Sequence, residues 1–251
     1  MKKQSAIILS VSIIFLLTIL TSISLAFTGY NKSSVTEKGL ELSFISNLKS
    51  KIDWEYKNFE MEIERKFIGV GVANSIGNSI NLYGSLNYIY DGEVNHEDFN
   101  ALNYDSGFFT NIGVKMNSYN ENKISVFVYG QINYIFSDDW SYSDYQADFK
   151  FENSGIELSV GAYGKYSIDK AFSIFGGLEL VPYSDIEGEL IEDIKNGGRI
   201  SYSDDYERES FFSLKIGAEY SFEKFDKKYN VASEISFGNE QAFTLSVCIP
   251  M

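Results

Sequence analysis

The sequence predicts an all-β fold: an up-and-down antiparallel transmembrane β-barrel of about ten strands. Three observations predict it. Apolar and polar residues alternate in segment after segment, which is typical of strands with two different faces. An aromatic residue followed by glycine recurs every 46 residues, at Gly84, Gly130 and Gly176. After the N-terminus no apolar run approaches about 18 residues, so a membrane crossing would have to use strands.

The N-terminus has the three parts of a secretory signal peptide: Lys2 and Lys3, an apolar run over Ala6–Leu20, and small residues that end at Ala26. We therefore expect export and cleavage after Ala26. An uncleaved membrane anchor is the alternative, because the apolar stretch continues to Phe27 and is long enough to span a bilayer. The sequence thus divides into a signal peptide (1–26), a short lead (27–38) and a barrel domain (39–251).

The mature chain is strongly acidic, because the full sequence has 35 Asp and Glu against 21 Lys and Arg, and cleavage removes Lys2 and Lys3. This balance argues against nucleic acid and anionic lipid as partners. The one cysteine, Cys248, can form no disulfide within the chain. No cofactor is expected.

The alternation gives each strand an apolar and a polar face. In segment 80–91, for example, Ile80 and Leu82 fall on one face and Asn81 on the other. The same arrangement recurs in segments 124–136, 156–167, 211–222 and 243–249. The polar face has three apolar exceptions, which are Ile89, Phe127 and Ile135. Because the outside of a membrane barrel contacts lipid, we assign the apolar face to the outside.

Two glycine patterns alternate along the chain. The first is Tyr83-Gly84, Tyr129-Gly130 and Phe175-Gly176. The second lies in the intervening strands, as Ile68-Gly69-Val70, Ile112-Gly113-Val114, Val160-Gly161-Ala162 and Ile216-Gly217-Ala218. We expect each 46-residue unit to be one hairpin. The glycines are expected to let strands bend and backbones approach closely.

Short turns and long polar loops alternate between the predicted strands. The turns lie near 73–79, 118–122, 167–170 and 223–229, and the loops near 46–56, 92–106, 138–152 and 185–207. In outer-membrane barrels such turns face the periplasm and such loops face outside. A change of phase near Arg65 and Lys66 predicts a β-bulge. Pro182 and Pro250 are expected near strand ends, where a missing N–H is tolerated.

Outward aromatic residues are expected to form two belts at the membrane interfaces. The outer belt consists of Tyr88, Tyr90, Phe108, Tyr134, Phe136, Phe212 and Phe243. The periplasmic belt consists of Tyr166, Phe172, Tyr220 and Phe222. A soluble sandwich gives no reason for aromatic residues at both ends of its apolar face.

The repeated Tyr-Gly and Ile-Gly-Val patterns, over about residues 39–251, resemble small bacterial outer-membrane β-barrel proteins of the opacity and OmpA-like surface-protein superfamily. The resemblance implies a location in the outer membrane, contact with its lipid, and insertion by the barrel-assembly machinery. It implies no particular activity. The C-terminal Ile249-Pro250-Met251 departs from the family, whose barrels commonly end in an aromatic residue that the machinery recognises.

A secreted lipocalin-like barrel is the soluble alternative, and it would turn the apolar face inward around a ligand. The charges on the opposite face favour a polar lumen with Lys–Glu pairs. These candidate lumen charges are Glu41, Glu60, Glu62, Glu64, Lys115, Glu157, Lys165, Glu179, Lys215, Glu219 and Glu234. The glutamates outnumber the lysines, so the predicted lumen is acidic.

Two functions fit these features. The first is a porin-like, narrow, hydrated pore that prefers cations, because ten strands lie between a filled barrel and an open channel. The alternative is a non-conducting structural or adhesive barrel whose long acidic loops bind an extracellular protein or glycan. An enzyme is not expected, because the only histidine, His96, lies in a polar loop without a recognisable catalytic partner. The loop acids show no metal-ligand spacing, so no metal is expected.

Overall fold

The computed structural model describes residues 40–56, 59–76, 79–96, 99–143, 147–195, 197–208, 211–225, 227–238 and 240–251. These residues form one antiparallel sheet with the strands β1 (Leu40–Tyr56), β2 (Phe59–Ile76), β3 (Ile80–His96), β4 (Phe99–Glu121), β5 (Ile124–Ser143), β6 (Ala147–Ser167), β7 (Phe172–Ile194), β8 (Arg199–Arg208), β9 (Phe212–Lys224), β10 (Lys227–Gly238) and β11 (Glu240–Pro250). The predicted signal peptide and lead lie outside the described residues. No helix in the described part is long and apolar enough to cross a membrane.

The sheet closes on itself, because β1 pairs with β11. β8 and β9 together act as one wall strand. Ile186 of β7 lies opposite Tyr206 of β8, and Leu180 lies opposite Phe212 of β9, so both pairings keep one register. With these two counted as one, the eleven strands make a ten-stranded wall. The predicted up-and-down antiparallel barrel is confirmed.

The ladder beside β7 is interrupted at Pro182, which has no N–H to donate. The pairing of β6 with β7 also shifts by one residue here, between Leu158 and Val160. The buried face of β7 changes accordingly from Val181 to Ile186. The expectation that Pro182 lies near a strand end is wrong, because the proline lies inside β7 at a bulge, where the missing N–H is also tolerated.

The wall narrows toward its outer end. β10 and β11 form a short hairpin between Gly238 and Glu240. Beyond it, β8 reaches across to β1, where Trp54 lies opposite Arg208 and Glu55 lies opposite Glu207. At this level the described wall consists of β1 to β8, and the two β1–β8 residue pairs close it into an eight-stranded ring.

Much of what the sequence assigns to long loops is strand. The regions 46–56, 92–106, 138–152 and 185–207 mostly extend β1 to β8. β4 and β7 have 23 residues each, whereas about 9–11 suffice to span a membrane. The loop prediction is wrong because the outside of this extension faces water, and its strands therefore lack the apolar outer face that identifies a strand in lipid.

The outward side of the membrane part is apolar, as predicted. Ile112 is 68% exposed, whereas its neighbour Asn111 is buried. A lipocalin-like barrel would have the opposite arrangement. Both predicted aromatic belts are exposed, with one exception. Phe243 is 1% exposed, so its assignment to the outer belt is wrong.

β2 keeps one alternation through the region of the predicted bulge. Ile63, Arg65 and Phe67 are all buried. The register shifts lie in the pairings on either side of β2, because β1 has one extra residue between Asn47 and Ser50, and β3 has one between Ile89 and Asp91. The apparent change of phase in β2 reflects charged residues on its outer face and apolar residues on its inner face above the membrane.

The repeated glycines make room for aromatic side chains inside the barrel. Tyr83 lies directly opposite Gly113, Tyr129 opposite Gly161, and Phe175 opposite Gly217. In each pair a Cβ on the glycine would collide with the aromatic ring. The first glycine pattern thus marks an inward ring, and three of the four glycines of the second mark the position that the ring covers. The fourth, Gly69, lies opposite Asn87.

We expect Gly161→Ala to lower the free energy of unfolding by about 1–3 kcal/mol, as overpacking does in other cores. The new Cβ would lie 2.5 Å from the carbonyl oxygen of Leu178 and from the Tyr129 hydroxyl. Gly164→Ala, also in β6, is the matched control, because its Cβ would meet nothing within 4 Å. Urea unfolding from lipid vesicles measures both, and equal stability of the two variants would contradict the steric role of Gly161.

Candidate functional site in the barrel interior

The inner face of the membrane part holds buried charges. Eight of the candidate lumen charges lie here: Glu41, Lys115, Glu157, Lys165, Glu179, Lys215, Glu219 and Glu234. None of them is more than 9% exposed except Lys165, whose side chain is 14% exposed. Side chains from most of the wall strands therefore converge on one interior.

The other three candidates lie on β2. Glu62 and Glu64 fall on its outer face, because Ile63 and Arg65 alternate with them and are buried. Glu62 forms an ion pair with Lys51 of β1. Their assignment to the lumen is wrong, since it assumed a change of phase that β2 does not have. The side chain of Glu60 lies outside the described part of the chain.

Arg65 is a buried cation that the sequence analysis did not assign to the interior. It is 2% exposed and lies between Ile63 and Phe67 on the inner face of β2. Its position follows from the unbroken alternation of that strand. Strict period two across β2, without a bulge, would have identified it.

The first charge cluster lies toward the periplasmic end and consists of Glu41, Lys115, Lys165 and Glu219. Lys165 and Glu219 form an ion pair. Lys115 is fully buried, interacts electrostatically with the other three, and has its Nζ 5.8 Å from the ring centre of Phe127. Two carboxylates and two ammonium groups make this cluster formally neutral.

The second charge cluster lies farther out and consists of Lys215, Glu179 and Glu234. Lys215 Nζ lies 2.7 Å from Glu179 Oε1 and 3.9 Å from Glu234 Oε1. The Tyr129 hydroxyl donates a hydrogen bond of 2.6 Å to Glu179 Oε2. A cavity of about 10 Å³ lies beside Lys215 and Tyr163, which is room for about one water molecule.

Neutral polar groups fill the neighbouring part of the interior. The Tyr83 hydroxyl donates to Gln131 Oε1 at 3.1 Å, and Gln131 Nε2 donates to Asn133 Oδ1 at 2.8 Å. Asn133 Nδ2 in turn donates to Ser159 Oγ at 3.2 Å. Glu157 accepts a hydrogen bond of 3.3 Å from Ser184. The first three hydrogen bonds connect β3, β5 and β6, and the bond between Ser184 and Glu157 connects β7 with β6.

An apolar layer, formed by Phe67, Ile89, Phe109 and Ile135, lies on the outer side of these polar groups. The first three side chains are 0% exposed, and Ile135 is 2% exposed. Phe67 and Phe109 meet edge to face, with ring centres 4.9 Å apart. Phe109 lies opposite Ile135, and Phe67 lies opposite Ile89. Two apolar exceptions on the polar face, Ile89 and Ile135, are thus members of this layer.

The periplasmic end is more open. A cavity of about 640 Å³ lies between the β6–β7 and β9–β10 turns. Among its lining residues are Lys165, Lys170, Glu219, Glu223, Lys227 and Lys228. In the adjoining turn, backbone N–H groups of Ala171 and Phe172 donate to Asp169 and lower the pKa of its carboxyl.

The described side chains form no metal centre, since no group of three or more His, Cys, Asp and Glu could hold an ion. His96 lies opposite Phe99 in the hairpin between β3 and β4. The side chain of His96 lies outside the described part.

Comparison with solved structures identifies the class of fold. The chain is similar to the outer-membrane protease OmpT from Escherichia coli, with a TM-score of 0.55 at 10% identity, over 88% of this chain and 100% of that chain. It is also similar to the translocator domain of the autotransporter NalP from Neisseria meningitidis, with a TM-score of 0.50 at 11% identity, over 87% of this chain and 90% of that chain.

No protein-family model and no curated protein sequence matches the chain. Membership in the opacity and OmpA-like superfamily therefore stays a prediction. The two structural likenesses show the fold alone, because their sequence identities are low. With its apolar outer surface and its closed antiparallel wall, the chain is an outer-membrane β-barrel.

Proposed function

We propose that the chain is a non-conducting surface barrel, anchored in the outer membrane, whose outer extension binds an extracellular partner. The apolar layer carries this proposal. Phe67, Ile89, Phe109 and Ile135, on the neighbouring strands β2 to β5, lie inside the wall above the charge clusters and are at most 2% exposed. A path for hydrated ions would have to cross these side chains, which offer an ion no polar group.

The charge count also supports a closed barrel over a cation-preferring pore. With Glu62 and Glu64 on the outer face of β2, the described side chains of the interior include five buried glutamates, against three lysines and Arg65. The first charge cluster is neutral, and the second shares Lys215 between two carboxylates. The excess of glutamates over cationic side chains in the interior, which is the basis of the cation-preferring pore hypothesis, is therefore much smaller than the sequence predicts.

The outer extension supports a role in binding. From Asp185 to Arg208, the end of β7, the turn that follows it and all of β8 contain eight acidic residues against three basic ones. Neighbouring strands hold this charge on a paired sheet. A rigid, charged surface attracts oppositely charged partners, and it loses less conformational entropy on binding than a flexible loop does.

We expect the purified protein to give no conductance steps in a planar lipid bilayer. Phe67→Ala combined with Phe109→Ala removes both rings of the apolar layer and should produce small steps, because the polar groups beneath can then be hydrated. Phe108→Ala, an outward neighbour that is 44% exposed, is the control and should stay silent. Steady conductance by the unaltered barrel would overturn the proposal.

A further inference from the structure

Among the residues that the structure describes, no neighbouring strand covers one edge of β8. Over Arg199–Tyr206 it pairs on one side with β7. On its other side it pairs with β1 only at Glu207 and Arg208. Because β1 ends at Tyr56, which continues this register opposite Tyr206, the edge over residues 199–205 faces no strand among the described residues. It is about 25 Å long, from the rise per residue of a strand.

The exposed edge belongs to a supported sheet. β6 pairs with β7 as far as Ile194, and β5 pairs with β6 at its outer end. Lys195, beyond β7, lies 3.0 Å from Asp148 of β6 and donates to Ser143 of β5. Hydrogen bonds from Ser143 and Lys195 lower the pKa of Asp148, which keeps its carboxylate charged.

An unpaired edge on a stable sheet is a template for another strand. About half of the N–H and C=O groups of Arg199–Tyr206 point away from β7, as in any strand. Such groups bind extended peptides by adding them to the sheet, with affinity from the main-chain hydrogen bonds. Nothing needs to unfold first, because β8 already has the extended conformation.

We propose that the β8 edge binds an extended, cationic segment of an extracellular protein as an added strand. The inference rests on the proposed function and names the class of partner. The net charge favours this occupant. The β8 edge carries Asp204 and Asp205 against Arg199, which pairs with Asp193 of β7, and β7 adds Glu187, Glu189 and Glu192. A second copy of the chain would bring the same acidic sheet against itself, at a cost in repulsion.

The test uses the full barrel in zwitterionic micelles and a fluorescent ten-residue peptide of alternating lysine and valine. Anisotropy is expected to report binding of this peptide but not of its glutamate–valine counterpart. The same cationic peptide, methylated at its four central backbone nitrogens, keeps its charge and loses hydrogen bonds toward both edges. It should bind at least about tenfold more weakly, which corresponds to about two net hydrogen bonds.

Asp204→Asn with Asp205→Asn should weaken binding of the cationic peptide several-fold, whereas Glu121→Gln at the opposite end of the barrel should not. Equal affinity for the methylated peptide would mean plain electrostatic attraction and would overturn the added strand. Conductance is measured on the same preparation. If the barrel does not conduct and does not bind the peptide, only the proposal of strand addition at β8 is refuted. If the barrel conducts ions, the proposal of a closed interior is refuted, whatever the result of peptide binding.

Discussion

Lys215→Met is expected to lower the free energy of unfolding by about 3–5 kcal/mol, the cost of removing one partner from a buried ion pair. Methionine keeps most of the side-chain volume but leaves Glu179 and Glu234 without the ammonium group that lies 2.7 Å and 3.9 Å from them. Both glutamates are buried. Urea unfolding from lipid vesicles, followed by tryptophan fluorescence or gel mobility, measures the change.

The control removes the stranded charges together with the lysine. Lys215→Met combined with Glu179→Gln and Glu234→Gln should regain most of the lost stability, because a neutral cluster leaves no uncompensated charge. If Lys215→Met alone costs less than about 1 kcal/mol, the range of exposed ion pairs, then water reaches the second charge cluster and the interior is not closed.

Ile112→Arg is expected to cost about 2–4 kcal/mol, because it places a cation on the lipid face near the middle of the membrane. Ile112 is 68% exposed on the outside of β4, opposite Gly84 and Ile132. The exposed part of the Ile112 side chain therefore contacts lipid. Refolding into phosphatidylcholine vesicles at a series of urea concentrations gives the free energy.

Two matched variants separate lipid contact from loss of the isoleucine. Ile112→Leu keeps an apolar side chain and should change stability little, and Glu64→Arg places the same cation on the outer face of β2, above the membrane part. If arginine costs as much at position 64 as at position 112, the boundary between lipid and water on this barrel is misplaced.

The membrane part of the fold could be predicted from the sequence because lipid outside and polar groups inside impose opposite demands on alternate residues. Ile80, Asn81 and Leu82 illustrate the pattern. Above the membrane the outside is water. There the apolar residues of the alternation, such as Ile63 and Ile186, point inward, and the polar residues point outward. Sequence alone does not show where this inversion occurs, which is why long strands were assigned to loops.

The interior was partly predictable for the same reason. Glu157 and Lys215 follow directly from the phase of their strands. Their partners do not, because the contact between Lys215 and Glu179 depends on how β7 and β9 align. The bulge at Pro182 shifts the pairing of β6 with β7, and the shifts beside Arg65 change the pairings of β2 with β1 and β3; each is fixed by neighbouring strands.

The aromatic–glycine pairs bear on how such a barrel changes size. Each pair links one hairpin to the following strand, as Tyr129 does with Gly161. The aromatic residue supplies the ring, and the glycine supplies the space that the ring occupies. A duplicated hairpin would therefore arrive with the means to join its neighbour. It would widen the circumference by two strand spacings of about 4.8 Å each without redesign of the rest. The 46-residue period is in this sense a unit of duplication: a barrel with one more or one fewer hairpin could keep these contacts between adjacent strands, whereas contacts across its wider or narrower interior would need new partners.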